Sequence, residues 1–130
     1  MTPPVLFVGI DVSQSHLDVA LHPTGAPWSV TYDDVGLATL VARLDPLVPT
    51  LIVLEATGGL ERLVVDALQR AALPVAVVNP RQVRDFARAT GILAKTDALD
   101  ARVLAHFAQA IQPTPQPPPD PNQQALTALL

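Results

Sequence analysis

At 130 residues the chain is about the size of one ordinary domain, so a single core is expected. Hydrophobic residues make up 49% and charged residues 15%, too apolar for a disordered protein and suited to a sheet buried on both faces. A net charge of −4 argues against nucleic-acid binding through bulk positive charge alone, and zero cysteines exclude both a disulfide framework and a thiolate metal site.

In chain order, Val5 to Asp11 is an apolar run rich in β-branched residues, and Leu17 to Leu21 is a second after the polar turn Ser13-Gln14-Ser15, which predicts a hairpin. Trp28 to Tyr32 alternates as a third strand behind the turn residues Pro23 to Pro27. Short links make these three strands antiparallel. Asp33 or Asp34 can cap a helix with Leu37, Leu40, Val41 and Leu44 at helical spacing, closed by Pro46 and Pro49. Leu51 to Glu55 is a short strand, Thr57-Gly58-Gly59 a turn, and Leu60 to Ala72 a helix with Leu63, Val64, Ala67 and Leu68 inward. Val75 to Val78 is the next strand, and Pro80 opens a helix through Ala89 that stops at Gly91. Thr96 or Asp97 then caps a final helix to about Gln112, with Leu99, Val103, Leu104 and Phe107 on one face. Strands joined through helices are expected to be parallel. The order βββ-α-β-α-β-α-α is that of an α/β, RNase H-like mixed sheet with helices on both faces.

Beyond Gln112 the stretch Pro113 to Pro121 excludes helix and favours an extended spacer, so the domain is expected to span 1–112 with a linker at 113–121. A proline-rich recognition tail is the alternative. Residues 122–130 read as the start of a further helix that stops mid-pattern, as in a fragment of a longer protein. The longest aliphatic stretches fall far short of the roughly 18 residues of a spanning helix. Neither a membrane partner nor a signal peptide is expected, and a cytoplasmic location is the default.

Four carboxylates, Asp11, Glu55, Asp97 and Asp100, sit at strand ends or a helix start within otherwise apolar segments. Gathering ionised carboxylates is costly unless a cation neutralises them, and Mg²⁺ takes oxygen ligands while keeping positions for water or phosphate. Singly, each acid also reads as a turn, helix-approach or helix-dipole residue. Residues 1 to 80 carry eight acids and three bases, whereas residues 81 to 106 carry three acids and five bases, Arg81, Arg84, Arg88, Lys95 and Arg102. Positive charge is therefore concentrated beside the last two acids, where it can grip phosphates flanking a metal-held one, although a solvated helix face has the same composition. Arg84 and Lys95 are the foremost nucleic-acid candidates; Arg81 and Arg88 share the predicted helix with Arg84, at spacings where all three cannot point equally in one direction. Asp18 is expected to be structural or to support Asp11, His16 to be a solvated turn residue, and His106 to lie on a helix surface.

The stretches Gly9-Ile10-Asp11-Val12-Ser13 with Asp18-Val19-Ala20, Glu55-Ala56-Thr57-Gly58-Gly59, and Asn79 to Ala87 through Lys95-Thr96-Asp97-Ala98-Leu99-Asp100-Ala101 closely resemble the DEDD transposases of bacterial insertion sequences, which include the Piv-type DNA invertases. The resemblance covers roughly residues 5 to 110 in order. It implies a RuvC-like catalytic domain of the RNase H fold, with Asp11, Glu55, Asp97 and Asp100 as catalytic acids holding Mg²⁺ or Mn²⁺. It further implies DNA as substrate, a structured guide RNA, a homo-oligomer in the full-length protein, and a serine nucleophile in a separate C-terminal domain. Gln14 stands where many relatives carry lysine, Leu60 where they often carry an aromatic, and Ala98-Leu99 where arginine and isoleucine are frequent. None of these removes a metal ligand. Residues 9 to 21 alone would also fit an actin-like ATPase or sugar kinase, and the same fold can serve as a non-catalytic nucleic-acid-binding or dimerisation module.

Overall fold

A computed structural model describes residues 5–91 and 100–117. Its elements follow the expected order: β1 (Phe7–Val12), β2 (His16–His22), β3 (Trp28–Thr31), α1 (Asp34–Leu44), β4 (Leu51–Glu55), α2 (Arg62–Arg70), β5 (Val75–Val78), α3 (Pro80–Ala89) and α4 (Ala101–Ile111). One five-stranded mixed sheet has the order β3-β2-β1-β4-β5. β1–β2 and β2–β3 are antiparallel, as short links require, whereas β1–β4 and β4–β5 are parallel, joined through helices.

Alternation along each strand builds two cores. Val8, Ile10 and Val12 of β1 with Ile52 and Leu54 of β4 face α1 and α2, whose Leu40, Leu44, Val64 and Leu68 are fully buried. Phe7, Leu51, Val53, Ala76 and Val78 face the other way, against Val83 and Ala87 of α3 and Val103, Leu104 and Phe107 of α4. The strands read as nearly unbroken apolar runs because both of their faces are covered.

Asp33 caps α1, its side chain accepting from the Gly36 amide at 2.7 Å, and Asn79 caps α3 by accepting from the Arg81 amide at 2.8 Å. Helix α2 departs from expectation in its inward face. Leu63 is 65% exposed and Val65 is buried, because α2 turns Val64, Val65 and Leu68 toward the sheet. The Tyr32 hydroxyl ties the end of the β3 segment to this helix, donating to the Leu60 carbonyl and accepting from the Val64 amide. After α4, the proline-rich segment runs back beside the edge strand β5. The Gln116 amide donates to the Val75 carbonyl at 2.8 Å and the Gln69 side chain to the Pro117 carbonyl at 3.3 Å, so residues up to Pro117 lie against the sheet. Residues 118–130, which include the rest of the linker and the expected further helix, lie outside the described residues.

Candidate metal centre

The parallel pairing of β1 and β4 runs to Ile10 opposite Leu54, so the next residue on each strand is an acid, Asp11 and Glu55. Both have the parity of Phe7 and Val53, which places them on the α4 side of the sheet at the carboxyl ends of parallel strands, where ligands commonly gather. The turn behind Glu55 is held by Glu61, whose carboxylate accepts from the Thr57 amide and hydroxyl and from the Gly59 amide at 2.7 to 3.1 Å. Those bonds, the Thr57 hydroxyl foremost, hold the Glu61 carboxyl below its usual range.

Asp100 reaches the same end through α4. This helix crosses β1 at Gly9, where a Cβ would meet the Ala101 carbonyl oxygen at 2.1 Å and the Ala105 nitrogen at 2.4 Å. Only a residue without a side chain permits that approach, and it sets the amino end of α4 beside Asp11, two positions on. Asp100 differs from expectation here. It is the N-cap of α4, with extended backbone at φ −132 and ψ 178, and Thr96 or Asp97 does not begin this helix. Its Oδ1 accepts from the Val103 amide at 3.1 Å, which supplies the cap, and its Oδ2 lies 3.3 Å from Arg102. Asp97 lies outside the described residues, as does Lys95.

The electrostatics are those of crowded acids. Burial pushes the Asp11 carboxyl up, and the charges of Asp18 and Asp100 add to this, with His16 opposing. Burial likewise raises Glu55, with Asp11 adding and Arg84 opposing. One oxygen of Glu55, Oε2, is buried with no hydrogen-bond partner among the described residues. Among the described residues, no group of three or more His, Cys, Asp or Glu side chains is arranged to hold a metal ion by itself. The donor set nevertheless fits a hard divalent cation, because carboxylate oxygens suit Mg²⁺ or Mn²⁺ and a buried carboxylate oxygen has no hydrogen-bond partner among the described residues.

Arg81, Arg84 and Arg88 are all exposed on α3. They occupy i, i+3 and i+7, which an α-helix turns to within about 60° of one another, so they form one stripe without pointing equally in one direction. Of the three, Arg84 is the one whose charge opposes the rise of the Glu55 carboxyl.

Three features were not apparent from sequence pattern. Arg102, one of the five bases between residues 81 and 106, lies beside Asp100 and with it lines an open cavity of about 360 Å³ shared with Asp11, Asp18, Trp28 and Ser29. Asp18 stands directly opposite Asp11 on β2 and opposite Ser29 on β3. His106 is half-buried, where a helix-surface position was expected, with its ring stacked on His22 at 5.0 Å and on the edge of Phe86 at 5.6 Å. Period-two alternation already puts His16 and Asp18 on one face of β2, but the register that brings Asp11 and Ser29 to them is set by tertiary pairing.

A family model described as a transposase, of the DEDD type, matches residues 8–130. Two curated relatives, pilin gene-inverting proteins of Moraxella lacunata and Moraxella bovis, are each 30% identical over 131 aligned residues, covering 95% of this chain and 40% of the relative. The chain thus spans well under half the length of those relatives. Among the described residues no helix is long and apolar enough to cross a membrane.

Proposed function

From the premise that this chain belongs to the DEDD transposase family, we propose that residues 1–112 form the RuvC-like, metal-holding catalytic domain of a DNA recombinase. Asp11, Glu55, Asp97 and Asp100 hold Mg²⁺ or Mn²⁺. The observation that carries this is the meeting of Asp11 and Glu55 at one sheet edge with the cap of α4, where Glu55 Oε2 is buried with no hydrogen-bond partner among the described residues. A pair of divalent ions, when bound, stabilises the attacking and leaving oxygens of phosphoryl transfer. The protein's own residues orient the substrate. Arg81, Arg84, Arg88 and Lys95 hold the DNA backbone beside the acids, and Gly9 lets α4 bring Asp100 to Asp11.

The names of the Moraxella relatives describe inversion of a gene, which supports double-stranded DNA as the substrate here. A structured guide RNA and a homo-oligomer complete the picture for the full-length protein. The serine nucleophile is assigned to the part of the relatives' length that these 130 residues do not span.

Thermal denaturation under metal titration tests the central claim. Saturating Mg²⁺ or Mn²⁺, at about 100 times its Kd, stabilises the native state by about 2.7 kcal/mol, and Asp11→Asn removes the gain. A chain with no response at millimolar metal would sink the catalytic assignment, and stabilisation by ATP in its place would favour the nucleotide-binding alternative.

A further inference from the structure

The antiparallel register sets Asp18 directly across from Asp11. Like charges directly opposite destabilise a sheet, so an acid at this position needs a reason. Its hydrogen bonds do not supply one. Ser29 donates to Oδ1 at 2.5 Å, a bond that the carbonyl oxygen of an asparagine would accept without the repulsion. The charge itself is the feature that β-structure does not require.

The surroundings hold that charge in one orientation. His16 Nε2 lies 3.5 Å from Asp18 Oδ2, and the other ring nitrogen of His16 is 3.1 Å from the Ser13 hydroxyl and 3.0 Å from that of Ser15. Asp18 is thus braced from β3 through Ser29 and from its own strand through His16. It remains 44% exposed and lines the cavity that also holds Asp11, Asp100 and Arg102. A half-exposed, oriented carboxylate beside a proposed cation ligand has the chemistry to accept hydrogen bonds from water.

We propose that Asp18 is a positioning residue of the metal centre, its carboxylate accepting hydrogen bonds from the hydration water of a divalent cation held at Asp11. The proposal rests on the metal assignment made above. An outer-sphere role suits Mg²⁺, which dehydrates reluctantly and keeps several waters. Ser29 and His16 then act one step further out, by fixing the rotamer of Asp18.

The test uses the full chain with Asp18→Asn and Ser29→Ala, each melted without metal and across a Mg²⁺ titration. Asp18→Asn should keep or raise the metal-free Tm, because it relieves the repulsion with Asp11, while moving the Mg²⁺ midpoint upward by about tenfold, as loss of an outer-shell partner does. Ser29→Ala retains the charge but frees the carboxylate, and should move the midpoint in the same direction by less. A wild-type midpoint in Asp18→Asn overturns the proposal, and a lowered metal-free Tm with unchanged midpoint identifies a structural acid instead. Should Asp18→Asn fail to fold, Ser29→Ala decides, and an unchanged midpoint there is equally fatal. A wild-type chain that ignores metal would instead overturn the metal assignment itself, and this proposal with it.

Discussion

Gly9→Ala is the sharpest single perturbation of this architecture. The added Cβ would sit 2.1 Å from the Ala101 carbonyl oxygen, 2.4 Å from the Ala105 nitrogen and 2.9 Å from Leu104 Cβ, against 3.4 Å or more for ordinary contact. Two of those neighbours are backbone atoms of α4, so no rotamer change relieves the clash, and the helix must retreat by roughly 1 Å or more. Overpacking of this kind costs about 1–3 kcal/mol. The retreat also loosens α4 against Phe7, Val53 and Ala20, so the upper end, about 3 kcal/mol, is expected. In a domain of this size that lowers Tm by roughly 10 °C. Thermal and urea denaturation of the two full chains measure it. Because Asp100 caps the displaced helix, the Mg²⁺ midpoint should rise as well. A Tm within about 2 °C of the wild type, together with an unchanged midpoint, would refute the view that the glycine exists to bring α4 onto β1.

Stability should also depend on pH through the crowded acids. Asp11 and Glu55 are raised above their ordinary values of 3.8 and 4.5, so the native state binds their protons more tightly than the unfolded chain. Their contribution is fully present below those ordinary values and is lost as pH rises through the raised ones, whereas the lowered carboxyls of Asp33 and Glu61 act in the opposite sense. Comparing wild type with Glu55→Gln between about pH 4 and pH 7 isolates the effect: without metal the variant should gain stability relative to wild type as pH rises, and a difference that is flat or of opposite sign contradicts the burial of Glu55. Arg84→Ala and Arg88→Ala should each weaken binding to duplex DNA regardless of sequence and reduce the salt dependence by about one unit of slope; an unchanged slope in fluorescence anisotropy would remove α3 from the interface.

Much of this molecule was legible because its signals are local. The β-branched runs, the helical spacing of Leu37, Leu40, Val41 and Leu44, the breakers Pro46 and Gly91 and the helix-opening Pro80 recover the element order and the sense of every strand pairing. The inward face of α2 was less legible, since Leu63 and Val65 are both apolar and neighbouring in sequence, and only docking on the sheet decides between them. The same holds for α4: an Asp-rich approach offers several caps, and the contact with Gly9 settles on Asp100.

The sequence by itself determined the strand–helix order and the family to which the motifs belong, because periodicity, breakers and motif spacing are properties of neighbouring residues. Tertiary structure alone decided which acids meet. Asp11 faces Asp18 across an antiparallel register and stands one step beyond a parallel register that ends beside Glu55; Asp100 arrives on a helix admitted by the missing side chain of Gly9. Those juxtapositions follow from strand register and helix docking, which depend on how two buried faces close together and not on any one segment of chain.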